Sequence, residues 1–77
     1  MSEKDRVNVI GLHQEISSLK SYIMGIESEY NSIIHQDMLG VHGVRSYLDN
    51  LVREHKKATR LAKKKENQLR RIYQKYN

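Results

Sequence analysis

The side chains best suited to metal or acid–base chemistry in this chain are its four histidines, His13, His35, His42 and His55. A helical metal site needs ligands three or four residues apart, such as two histidines at i and i+4 or a glutamate three residues before a histidine. None of the four has such a neighbour. His35 and His42 flank a glycine-containing stretch and, with Asp37, are the nearest approach to a loop site. Solvated turn histidines are the simpler reading. His55 falls on an apolar seam, where a polar residue fixes register. The serines lack the Gly-x-Ser-x-Gly elbow of a nucleophile, and no Gly-Lys-Ser/Thr follows Gly40 or Gly43 to cradle a phosphate. Glu27 and Glu29 stand two apart, so on a helix they point away from each other. There is no cysteine to act as nucleophile or thiolate ligand. The expectation is a non-enzymatic protein with no cofactor, no metal and no small-molecule substrate.

The remaining chemistry is charge. Residues 53–75 hold ten basic residues against Glu54 and Glu66, a net of +8, whereas residues 1–52 hold four basic and seven acidic residues, a net of −3. On a helix numbered in heptads a to g, Arg53 and Arg60 fall at f, Lys56, Lys63 and Arg70 at b, and Lys57, Lys64 and Arg71 at c. These are the outer positions of one face. Lys65 falls at d and points inward. The residues expected to meet an anionic partner are Lys56, Lys57, Arg60, Lys63, Lys64, Arg70 and Arg71. A solvated face that keeps a small bundle dispersed is the bland alternative. The stripe contains no aromatic residue, which suits phosphate-backbone contact better than base reading or single-strand stacking. An anionic membrane surface is a poorer fit, because the apolar side of the helix is already taken by its seam. Two functions are therefore expected. One is a coiled-coil interaction protein (adaptor, inhibitor or assembly component) that docks through its helical faces and keeps the basic face of helix 2 for an anionic partner, an acidic protein surface among the candidates. The other is a nucleic-acid-binding accessory protein without strong sequence preference.

What positions these residues is a pair of heptad seams. The first runs Val9, Leu12, Ile16, Leu19, Ile23, Ile26, Tyr30, Ile33, with spacings of three and four in strict alternation. That is the pattern that holds one stripe of a helix against a partner helix. The second runs Val41, Val44, Leu48, Leu51, His55, Ala58, Ala62, Lys65, Leu69, Ile72, Tyr76. Between them lies Asp37-Met38-Leu39-Gly40-Val41-His42-Gly43, the one turn signal in a chain without proline. Ser2, followed by Glu3 and Asp5, suits a helix start. The pattern predicts helix 1 over about 3–36, a turn over about 37–43 and helix 2 over about 44–76, in a single all-α antiparallel coiled-coil hairpin. One continuous helix with a stutter is the alternative, since the two registers differ by four residues. Folded as a hairpin with residues 38–42 at the turn, seam positions pair where residue numbers add to 77 or 78. This sets Ile16 against Ala62, Leu19 against Ala58, and Lys65 against Leu12 with its ammonium reaching Glu15.

Beside the seams, Tyr22, Ile34, Tyr47, Val52, Leu61 and Tyr73 occupy e and g positions. A two-helix hairpin leaves such residues wet, so a homo-oligomeric four-helix bundle, or a subunit role in a larger complex, is expected through them. With 77 residues the chain is one domain at most and buries little surface alone. No apolar run approaches the ~18 residues of a membrane span. The polar start and the missing cysteines suggest an intracellular, reducing compartment, cytoplasmic or nuclear.

Overall fold

The computed structural model describes residues 1–77 as an all-helical hairpin: α1 spans Glu3–His35, α2 spans Val44–Gln74, and the two pack against each other with no strand. The rod measures 55 × 17 × 14 Å. Ser2 starts α1 in an extended conformation, and its hydroxyl accepts the Asp5 N–H at 3.2 Å, with Glu3 and Asp5 at the positive end of the helix dipole. α2 starts differently. Its N-cap is Gly43, no side chain caps it, and no acidic residue lies in its first turn.

The connection is made of successive tight turns, with Val41 N–H donating to Met38 O at 3.0 Å and Val44 N–H to Val41 O at 3.2 Å. Of the two glycines, only Gly43 has positive φ (83°); the other left-handed residue is Asp37 (φ 54°), just past the C-cap of α1. Asp tolerates this region because its short polar side chain can bond locally. Gly40 therefore serves the reversal without using a glycine-only conformation.

The buried residues are Val9, Ile16 and Ile26 from α1 and Leu48, Leu51, Ala58 and Ala62 from α2, all of them seam positions. The core is thin: Ala58, the most buried, still keeps 5% exposure. Its one cluster lies toward the turn, where Ile26, Leu48 and Leu51 are packed by Tyr30, Ile33 and Val44. The second seam is shorter than its sequence pattern. Val41 sits in the turn, Tyr76 lies beyond the helix, and both are exposed.

The register also differs from the expected one. Polar pairs across the hairpin include Asp5 with Tyr76, Glu15 with Lys65, Glu27 with His55, Tyr22 with Glu54 and Lys20 with Glu66. Their residue numbers add to 81, 80, 82, 76 and 86, centred on about 81 rather than 77 or 78. This offset places a positions of one helix against d positions of the other, so Leu19 stands opposite Ala62 and Ile23 opposite Ala58. Large against small is kept, with different partners. The physical reason lies on the flanks. In this offset e rows face e rows and g rows face g rows, which gives Lys20 its Glu66 at 3.4 Å and Glu54 its Tyr22. Lys65 does reach Glu15 and is half-buried.

Candidate anion-binding face

The outer arc of α2 carries the residues expected there. Lys56, Lys57, Arg60, Lys63, Lys64, Arg70 and Arg71 are all exposed, and none of them makes an ion pair. Arg53, one turn before Lys56, shares the face and is likewise exposed and unpaired. Its f position carried the signal, because f lies at the middle of the outer arc. At 100° per residue, positions b, f and c fall within about 100° of one another, and residues 53–71 extend about 27 Å along the axis. Within that arc the interruptions are Asn67 and, beyond Arg71, Gln74.

The face stays bare because the nearby acids are engaged elsewhere. Of nine acidic residues, six pair across the hairpin. Asp5 accepts the Tyr76 hydroxyl and faces Lys75 at 3.6 Å; Glu15 pairs with Lys65; Glu27 meets His55 Nε2 at 2.9 Å. Glu29 accepts the Tyr47 hydroxyl, Glu54 the Tyr22 hydroxyl at 3.4 Å, and Glu66 takes Lys20. Glu3, Asp37 and Asp49 remain: Glu3 and Asp37 lie at the ends of α1, and Asp49, at b in the second turn of α2, borders the basic face four residues before Arg53. The cations repel one another, yet at the surface each stays hydrated, so the cost of holding them together is modest and falls with salt.

These clasps shift the groups that make them. The Tyr76 hydroxyl bond and then the Lys75 charge hold the Asp5 carboxyl below its ordinary value, against a smaller cost of burial than the hydroxyl bond. The Glu29 bond pushes the Tyr47 phenol up. Loss of hydration, reinforced by the Glu54 charge, does the same for Tyr22. The pairing of tyrosines with acids on the opposite helix escaped the sequence reading, because it depends on the register.

The six e and g residues divide between two flanks. Tyr22, Tyr47 and Leu61 lie on one side of the hairpin, Ile34, Val52 and Tyr73 on the other, and all six are exposed. Tyr22 and Tyr47 engage through their hydroxyls while their rings stay wet, and Tyr73 Oη lies 3.3 Å from His13 Nε2. His55 is half-buried beside Glu27. His35 and His42 lie exposed at the end of α1 and in the turn, and no three His, Cys, Asp or Glu side chains gather as a metal-holding group. The grooves between the helices reach ≈ 590 Å³. They are surface troughs, and an apolar floor with convergent polar groups is the hallmark of a small-molecule site. The trough with the most apolar lining places Ile26, Tyr30, Leu51 and Val52 beside the Glu27–His55 pair. No helix is long and apolar enough to cross a membrane. Comparisons with family models, with curated proteins and with solved structures find no match for this chain.

Proposed function

We propose that this chain is a non-enzymatic docking protein, an adaptor, inhibitor or assembly component, that meets an anionic partner with the outer face of α2. The observation that carries this reading is the set of eight unpaired, exposed cations on one arc, beside acids that are engaged across the hairpin. Solubility alone asks for mixed charge spread over the surface; concentrated charge of one sign steers an oppositely charged partner to one side. The thin core supports a second element of the proposal. The flanks formed by Tyr22, Tyr47 and Leu61 and by Ile34, Val52 and Tyr73 pack against a second copy or another subunit, giving a four-helix arrangement. A chain without cysteine is at home in a reducing, intracellular compartment.

The test separates a face from a net charge. Lys57→Gln, Lys64→Gln and Arg71→Gln together remove three charges from the face; Lys4→Gln, Arg6→Gln and Arg45→Gln together remove three from elsewhere. Binding to heparin at 0.1 M salt is expected to fall sharply for the first variant and little for the second. Equal losses would reduce the face to bulk charge. For association, sedimentation at micromolar concentration is expected to give at least a dimer with a concentration-dependent melting temperature; a concentration-independent monomer would remove that element.

A further inference from the structure

We propose that the anionic partner is the phosphate backbone of a double-stranded nucleic acid, gripped by charge and shape rather than by sequence. The proposal rests on the reading of the α2 outer face as the contact surface and names what that surface takes.

Spacing is the first argument. Eight cations over about 27 Å lie on average about 4 Å apart along the axis, a density comparable with that of the phosphates of one duplex strand, about 3.4 Å apart. Acidic patches on proteins mix carboxylates with neutral and basic groups, so they seldom match so dense a run of one sign. Shape is the second. The cations fill an arc of about 100° on a straight helix about 10–12 Å across, a width the major groove of about 12 Å admits. The arms of Lys56, Lys63 and Arg70 reach one wall, those of Lys57, Lys64 and Arg71 the other, and Arg53 and Arg60 lie between.

Composition of the arc excludes the rivals. No aromatic residue stands among the cations, so nothing is there to stack unpaired bases, which single-strand binders rely on. No apolar residue stands there either. The exposed Val52, Leu61 and Tyr73 lie on the flanks, away from the charge. An interfacial membrane helix needs the reverse, an apolar face flanked by cations. Asn67 and Gln74 can donate to phosphates, and Arg53 and Arg60, two turns apart at the middle of the arc, are too few to read more than an isolated guanine. The two acids of this segment, Glu54 and Glu66, turn toward Tyr22 and Lys20 on α1 and do not repel a phosphate at the outer face.

The experiment uses the full chain and a labelled 20-base-pair DNA duplex, in two unrelated sequences, followed by fluorescence anisotropy from 50 to 200 mM NaCl. With five to eight phosphates neutralised, the log–log slope of affinity against salt is expected to be about −4.5 to −7, at about −0.9 per contact. The two sequences should bind within about threefold of each other, as contacts to the backbone carry no direct sequence information. Lys56→Gln, Arg60→Gln and Lys63→Gln together should flatten the slope by about 2.7 and weaken binding at least about tenfold at 0.1 M salt. Helicity, checked by circular dichroism, should hold because Gln is about as good a helix former as Lys. Lys4→Gln, Arg6→Gln and Arg45→Gln together should change affinity by less than about threefold.

Three competitors decide the partner class: single-stranded DNA of the same length, polyglutamate, and vesicles of phosphatidylserine and phosphatidylcholine. Tighter binding to any of them than to the duplex overturns the duplex proposal and leaves the anionic face standing. No binding to the duplex or any competitor at 50 mM salt overturns both. An RNA duplex bound as well as the DNA duplex supports the proposal and identifies backbone charge as the shared determinant.

Discussion

The two helices solve opposite problems. α1 has a side-chain cap and acids at its start, and its outer positions from Val7 to His35 carry no Lys, Arg, Asp or Glu: serines at 17, 18, 21, 28 and 32, glycines at 11 and 25, Gln14, Asn31, Ile10 and Met24 complete them. α2 starts on an uncapped glycine and covers its outer positions with cations that repel their neighbours three and four residues away. Isolated, α2 would carry that repulsion, and α1 the weaker helix formers, with two glycines and five serines in its length. The order of both is borrowed from the seam they share, since tertiary packing outweighs propensity in most protein helices. The difference teaches a division of labour: α1 supplies four of the six acids that close the hairpin, and α2 displays most of the positive charge.

The largest test of that dependence is Leu48→Ala, in the cluster near the turn. Removing this 6%-exposed side chain should cost about 2–4 kcal/mol, a major share of the stability of so small a domain. Urea denaturation should show both helices lost together. Ser21→Lys, on the outer side of α1, should by contrast stay within about 0.5 kcal/mol. A Ser21→Lys loss as large as that of Leu48→Ala would mean that the outer side of α1 is covered and that the two helices do not differ as described.

Next in size is the start of α2. Gly43→Ala places a side chain at φ 83° and should destabilise by about 1–2 kcal/mol. No measurable loss would show that the uncapped start does not limit α2. Smaller, and opposite in sign, is Gly25→Ala in α1. A methyl group there meets nothing within 4 Å, so the variant should gain about 0.5–1 kcal/mol of stability. A loss, appearing only at high protein concentration, would reveal that a second copy packs there.

The smallest effect concerns the clasps. The folded phenols of Tyr22 and Tyr47 titrate above their ordinary value. A group raised on folding contributes stability that is complete below the unfolded value of about 10 and is lost as pH rises through the folded value. Melting temperature should therefore fall between pH 9 and pH 11.5, and fall less in the variant carrying both Tyr22→Phe and Tyr47→Phe. An identical fall in both proteins would mean that these hydroxyls do not hold the flanks.

The seams, the reversal and the outward aim of the cations were legible in the sequence, because each follows from a period of 3.6 to 3.5 residues and a pair of glycines. The offset between the helices was not. A slip of three or four residues keeps both apolar stripes facing, so hydrophobic pattern alone does not choose between such offsets. Polar flanks choose, and a residue such as Glu29 shows its role only once Tyr47 is opposite. The bareness of the basic face was hidden for the same reason: Lys63 is known to be unpaired only when Glu66 is seen to belong to Lys20. Asp37 in the left-handed region was hidden by the two glycines nearby, either of which is the better sequence candidate.

Ser2 and Tyr76 touch through a backbone N–H and a phenol at 3.2 Å, with Asp5 and Lys75 closing the same end. Both chain ends thus emerge side by side, at the pole of the rod opposite the turn. Spliced by its ends into a surface loop of a carrier protein, the hairpin would stand out as a spoke 55 Å long, rooted at one point, with its charge along the shaft and Leu39 and Val41 at the tip. Joined end to end by a short linker and cut at residues 38–42, the same sequence would read α2 first and α1 second while keeping every contact between them. The geometry makes the order of the two helices a matter of convenience, and it offers a way to hang the basic face from another scaffold.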